Sequence, residues 1–291
     1  MTDTLDNDPK TIQQSGSSHR SRWQRFSPSM GWRAFWSEIV IVVLGVVIAL
    51  AANEAVQEWT WRNKVEDAEA RLRGDITWIF LWSAEKYASR PCVDAQLAAL
   101  GLNVLESPET LKPASVFTVN HLSLSYVVRM PNRPYRFPVW EALLADGTAS
   151  HFAPQRQAFL GRISDDMAQA RSNEGETRSL MGRLMVMRDP IALDPVVRAD
   201  LLTQINQLRL LTAFEALNAQ QRMRRIADAG SAPTSEQVEL FLNASGKNPS
   251  GSDYSGMANF CNTQGLPLAD WRDYRKVTAN TQFPGAGGKK P

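Results

Sequence analysis

Fourteen consecutive apolar residues, Ile39 to Ala52 within "FWSEIVIVVLGVVIALAANEAVQEWTWR", constrain this chain more than any other feature. As a helix the run spans about 21 Å, short of the roughly 30 Å hydrocarbon core that takes about 20 residues to cross. Its flanks lengthen it. Trp32, Phe35 and Trp36 precede the run, Trp59 and Trp61 follow it, and the 23 residues from Trp36 to Trp59 are where the two aromatic belts of a membrane helix stand. Glu38, Asn53 and Glu54 lie at depths from which a polar group still reaches headgroups. The segment Ala34 to Val56 therefore reads as a transmembrane helix. A core helix of a soluble protein is the alternative, but such a helix is seldom rich in Val and Ile on every face.

A cleaved signal peptide is the second alternative, because Ala49-Leu50-Ala51 imitates the small-x-small pattern before a cleavage site. Against it, the leading region runs to about residue 38 with a glutamate beside the apolar core, and the helical pattern continues past Ala52. Orientation follows from the basic residues. Arg20, Arg22, Arg25 and Arg33 precede the segment, whereas only Arg62 and Lys64 follow closely, so the N-terminus is expected in the cytoplasm. Residues 1–33 carry five basic and three acidic side chains, which is all of the chain's net charge of +2. The part beyond is formally neutral and offers no polyanion-binding surface, so nucleic acid is not an expected partner.

Residues 1–33, with "TIQQSGSSHRSR", are too poor in apolar side chains to offset the entropy of ordering and read as a disordered cytoplasmic tail. Beyond the membrane, Trp61, Val65, Ala68, Leu72, Ile76 and Ile79 form the stripe of an amphipathic helix. Glu58 with Arg62, Asp67 with Arg71 and Glu69 with Arg73 are favourable pairs on its wetter side. This helix is expected to run from the bilayer to about Ala88, with Gly74 as a weak point and Pro91 as its stop. Further helices are expected over Cys92 to Leu105, from a Ser150 cap to about Arg171, and over Glu174 to Arg188. The stretch Ala114 to Arg129 reads equally as helix or strand. "VWEALLADG" is a short helix closed by Gly147. The strongest pattern is a helix with Asp194 as cap, Pro195 at its first position and Gly230 as stop, long enough to pack along the membrane-proximal helix. Thr234 or Ser235 caps a last helix ending at Gly246, and a Gly/Pro/Ser-rich tail follows.

The expected architecture is all-α: the transmembrane helix 34–56 continuing into an antiparallel helical bundle over 57–246, with an irregular tail over 247–291. Cys92 and Cys261 are an even pair in a chain whose larger part is exported, so a disulfide tying the tail to the body is expected.

The opening stretch also carries a resemblance. "EIVIVVLGVVIALAANEAVQEW" followed by "RLRGDI" resembles the signature E-I-x-x-V-V-x-G-x-x-I-A-L of a family of uncharacterised bacterial single-pass inner-membrane proteins, and "VWEALLADG" is similar to a short element met later in such chains. The match covers roughly residues 36–80. It implies single-pass topology with a helical domain on the periplasmic side, and no activity.

Residues able to do chemistry are few. Histidine occurs only as His19, His121 and His151, so no pair has metal-ligand spacing. No serine sits in G-x-S-x-G, and "SGKNPSG" is not a phosphate-binding loop. Asp165 and Asp166 point about 100° apart on a helix, as a solvated face has them. No catalytic residue, metal or cofactor is expected. Arg129, Arg133 and Arg136, interleaved with Tyr126 and Tyr135, form a candidate anion pocket, because guanidinium groups grip carboxylates and phosphates bidentately; a solvated loop is the alternative. Gly45, Ala49 and Ala52 line one stripe of the membrane helix and are a candidate homodimer contact. The functional classes left open are a membrane-anchored scaffold or interaction module with a membrane or periplasmic protein partner, a ligand-sensing domain signalling through a partner, and a membrane-tethered enzyme. The first fits the absence of chemical motifs.

Overall fold

The computed structural model describes residues 32–119, 124–247 and 253–276. His19 and His121, and the tail up to residue 31, lie outside the described residues. Two units divide at Gln57 and Glu58. Helix α1, Trp32–Glu106, has its apolar run in the first unit, where Val40 to Leu50 are exposed on every face. This helix is long and apolar enough to cross a membrane. Trp32 and Trp36 meet edge-on at 6.0 Å ahead of the run.

In the second unit α1 acquires a buried stripe, with Ala68, Leu72 and Ile76 fully enclosed and Ile79 nearly so. The period read from the sequence is therefore the face that packs. It meets Trp140 and Leu143 of α2 (Pro138–Ala145), Leu160, Ile163 and Met167 of α3 (Pro154–Leu184), and Met223 and Ile226 of α4 (Pro195–Asp228). Glu58 pairs with Arg62 as expected. Glu69, expected to pair with Arg73, is instead gripped by the Arg156 guanidinium through bonds of 2.8 and 2.6 Å.

Pro91 does not stop α1. The helix runs through it to Glu106, so the separate helix expected over Cys92 to Leu105 is the last part of α1. A helix-interior proline removes one backbone bond and costs about 3 kcal/mol. Here the disturbed turn is held from outside: the Ala88 carbonyl accepts the Ala269 N–H at 2.9 Å, and Cys92 is bonded to Cys261. Beyond the proline, Val93, Leu97, Leu100 and Val104 enter a second core with Leu180 and Leu184 of α3 and Leu201, Ile205 and Leu208 of α4. Burying such side chains stabilises by roughly 1.5–3 kcal/mol each, enough to offset the break.

The helices expected to either side of residue 172 are one, α3, followed by a 3₁₀ turn, Met185–Arg188. Ser150 does not cap it; its hydroxyl donates to the Gly147 carbonyl at 2.7 Å within the turn Thr148–His151. Asp166 pairs with Arg225 and Asn173 with Glu215, so residue numbers rise along α3 as they fall along α4. Asp194 caps α4 as the sequence indicates, its carboxylate accepting the Val196 and Val197 N–H groups at 2.8 Å, and Gly230 takes a φ of 66° just past the end. Thr234 and Gln237 form a capping box at α5, Ser235–Leu242, which ends before the expected Gly246.

The stretch left open between helix and strand contains a hairpin, β1 (Phe117–Val119) with β2 (Leu124–Tyr126), in the register Phe117 opposite Tyr126. The C-terminal region, expected to be irregular, is folded where it is described: β3 (Ser245–Lys247) pairs with β4 (Asp253–Ser255), α6 spans Met257–Thr263, and a 3₁₀ turn spans Trp271–Arg275. Phe80 explains part of this order, since Trp271 and Tyr274 both pack edge-on against its ring.

Candidate functional site

Where α1, α3 and α4 meet, the core is charged. Lys86 of α1 sends its ammonium group to Glu174 of α3 at 3.2 Å and to the Pro131 carbonyl at 3.3 Å. Glu215 of α4 accepts from Asn173, and Arg222, about two turns further along α4, is almost wholly enclosed. Two cations and two carboxylates balance, which is the condition for keeping charge out of water. Burial pulls Lys86 down, but Tyr135, Glu174 and Glu215 outweigh it and hold the ammonium above its usual range. Burial lowers Arg222 against the opposing pull of Tyr135, Asp166 and Glu215. Beside this group, Arg133 forks Glu85 with bonds of 2.7 and 2.8 Å.

Tyr135 is buried beside the charged core. Its φ of 38° is a left-handed conformation that costs a bulky residue on the order of 1–3 kcal/mol. The ring is held edge-on by Trp82 at 6.1 Å, with the Lys86 ammonium 5.9 Å from its centre. Its hydroxyl is buried, has no hydrogen-bond partner among the described residues, and is pushed up in pKa by that burial. The Arg222 Nε is likewise unpartnered among them.

Trp82, which packs on Tyr135, also lines a cleft of about 430 Å³ together with Trp78, Arg133 and Arg136, among others. Trp78 is half exposed, and Asp75 at the edge accepts the Val139 N–H at 3.2 Å, its carboxyl raised by burial against that bond. Indole faces beside a guanidinium and a carboxylate can hold a planar or extended polar ligand.

The three arginines of the candidate anion pocket do not converge as a set. Arg133 and Arg136 share the cleft, with Arg133 already bound to Glu85, whereas Arg129 lies over the Phe260 ring at 4.7 Å. The Arg129 backbone is pinned by Gln96, which accepts its N–H at 2.8 Å and donates to its carbonyl at 3.1 Å. Asp165 is exposed, but Asp166 is not on a solvated face: it is part-buried against Arg225, and burial raises its pKa. Cys92 and Cys261 are joined, both sulfurs enclosed. Gly45, Ala49 and Ala52 are exposed on the apolar part of α1. His151 stacks on Trp61. Sequence reasoning missed Lys86, Glu174, Glu215 and Arg222; Lys86 within "LWSAEKYAS", a charge in a mostly apolar stretch, was the available signal. No known protein family, curated protein or solved structure matches this chain.

Proposed function

We propose that the chain is a single-pass protein of the bacterial inner membrane, with a cytoplasmic N-terminus and a periplasmic antiparallel helical bundle that acts as a scaffold or interaction module rather than an enzyme. The exposure of Val40 to Leu50 on every face of α1 carries this reading, because such a surface is stable only in lipid or against another apolar surface. Its partners are the bilayer, a second copy through Gly45, Ala49 and Ala52, and a membrane or periplasmic protein. The basic residues before the span, the Cys92–Cys261 bond and the resemblance of residues 36–80 support the topology. A reporter active only in the periplasm is expected to work when fused at the C-terminus and to fail when fused at Ser29. The reverse pattern overturns the orientation.

Ligand sensing through a partner is the second reading, favoured by the Trp78 and Arg136 cleft and by the strained Tyr135, which packs on Trp82 of that cleft and lies near Lys86. Purification of the intact chain from membranes separates the two. A stoichiometric companion protein retained by a Trp78→Ala, Arg136→Ala variant supports the scaffold, and loss of that companion in the variant gives the cleft the leading role.

A further inference from the structure

We propose that the corner made by the turn Thr148–His151 and the start of α3 rests on the bilayer surface, with phospholipid headgroups as its partner. The inference depends on the reading of α1 as a membrane span, whose far aromatic edge is Trp59 and Trp61. From Val40 to Thr60 every residue of α1 is exposed, and Trp61 is the first to be covered. What covers it is the corner itself: the His151 ring lies 3.8 Å from the indole at a tilt of 14°, while the Lys64 ammonium stands 4.4 Å from the ring centre. Val65 and Ala68 then enter the core directly.

Distance decides where the corner sits. Trp61 lies about 3 Å along the helix from Trp59, and the polar layer on each side of a bilayer is roughly 5–8 Å deep. An indole in that layer places a side chain in van der Waals contact with it there too. Composition agrees with the partner. Residues 147–164 contain no Asp or Glu, while His151 and Arg162 lie within them and Arg156 is paired with Glu69 of α1. Asp146, the nearest carboxylate before this segment, is committed to the Thr148 N–H at 2.9 Å. Ser150, His151, Ala153, Pro154 and Gln155 are exposed: small, neutral or basic side chains facing phosphates.

The test uses the full chain in vesicles of phosphatidylethanolamine and phosphatidylglycerol, with and without a lipid bearing a nitroxide on its headgroup. A fluorophore is attached at Ser150→Cys, at Gln155→Cys as an independent position, and at Ser179→Cys, which lies about 37 Å along α3 from Pro154. Cys92 and Cys261 are bonded and fully buried, so they do not take the label. Headgroup quenching at positions 150 and 155 is expected to exceed that at 179 by at least threefold. Extraction with alkaline carbonate runs in parallel. If the chain stays in the membrane and all three labels quench equally little, the corner stands off the bilayer or is covered by protein, and this inference alone falls. If carbonate releases the chain, the span reading falls and takes the inference with it.

Discussion

Lys86 and Glu174 meet 3.2 Å apart with 6% and 5% of their side chains exposed, joining α1 to α3 inside the fold. Removing one partner of such a pair leaves an uncompensated charge in the core, which costs about 3–5 kcal/mol, whereas replacing both with apolar groups is often neutral. Glu174→Gln is therefore expected to lower the melting temperature sharply, and the double change Lys86→Met with Glu174→Leu to recover most of the loss. A double variant as unstable as the single one would mean that the wider network, not the pair, is what matters. The pH sign follows from the ammonium group being held above its usual range. Its contribution is fully present below the unfolded value and is lost as pH rises through the folded one, so the parent should show no loss from this group between about pH 6 and 9.

Tyr135 offers a sharper test because its two peculiarities act separately. The buried hydroxyl lacks a partner among the described residues, so Tyr135→Phe removes a desolvated polar group while keeping the ring against Trp82. The variant is expected to be as stable as the parent or about 1 kcal/mol more so, read by thermal melting. A loss of more than about 1 kcal/mol would show that the hydroxyl is bonded in solution.

What was legible in the sequence was local. The stripe from Val65 to Ile79 is a 3.6-residue period, and Asp194, Pro195 and Gly230 act through their own backbone neighbours. The misread places all depend on partners far along the chain. Pro91 is tolerated because Ala269 and Cys261 reach back to its turn, and Glu174 continues α3 through a polar stretch because Lys86 awaits it. The charged core is invisible to periodicity for the same reason, since its pairs are separated by 42 to 88 residues. Part of the cleft was readable: Trp78 and Trp82 are four apart, with Trp78 on the exposed side of a strong stripe.

The Cys92–Cys261 bond closes a separation of 169 residues. In the chain-entropy model a loop of that size stabilises by up to about 5 kcal/mol. The C-terminal segment is also held by Gln220, which donates to the Tyr274 carbonyl at 3.2 Å, and by the Phe80 contacts, so reduction is expected to loosen it without unfolding the helices. Limited proteolysis under reducing conditions should cut first between residues 243 and 276, and Cys92→Ser should reproduce that pattern without reductant. Equal cleavage of reduced and oxidised protein would show that the bond does not hold this segment.

Self-association through the membrane helix is the remaining prediction. Gly45, Ala49 and Ala52 follow one another at spacings of four and three, so their small side chains share one face of α1 amid Val, Ile and Leu. In lipid, where apolar side chains gain little from leaving their surroundings, a face that lets two backbones approach closely favours association by packing. A side chain added at Gly45 meets nothing within 4 Å in the single chain, so Gly45→Leu changes the intermolecular face without disturbing the protomer. The variant is expected to lose most of the signal of a membrane two-hybrid assay at equal expression. Because Val42→Leu replaces one large apolar side chain by another, it should keep that signal. If Gly45→Leu associates as strongly as the parent, close backbone approach at this stripe is not what joins two copies.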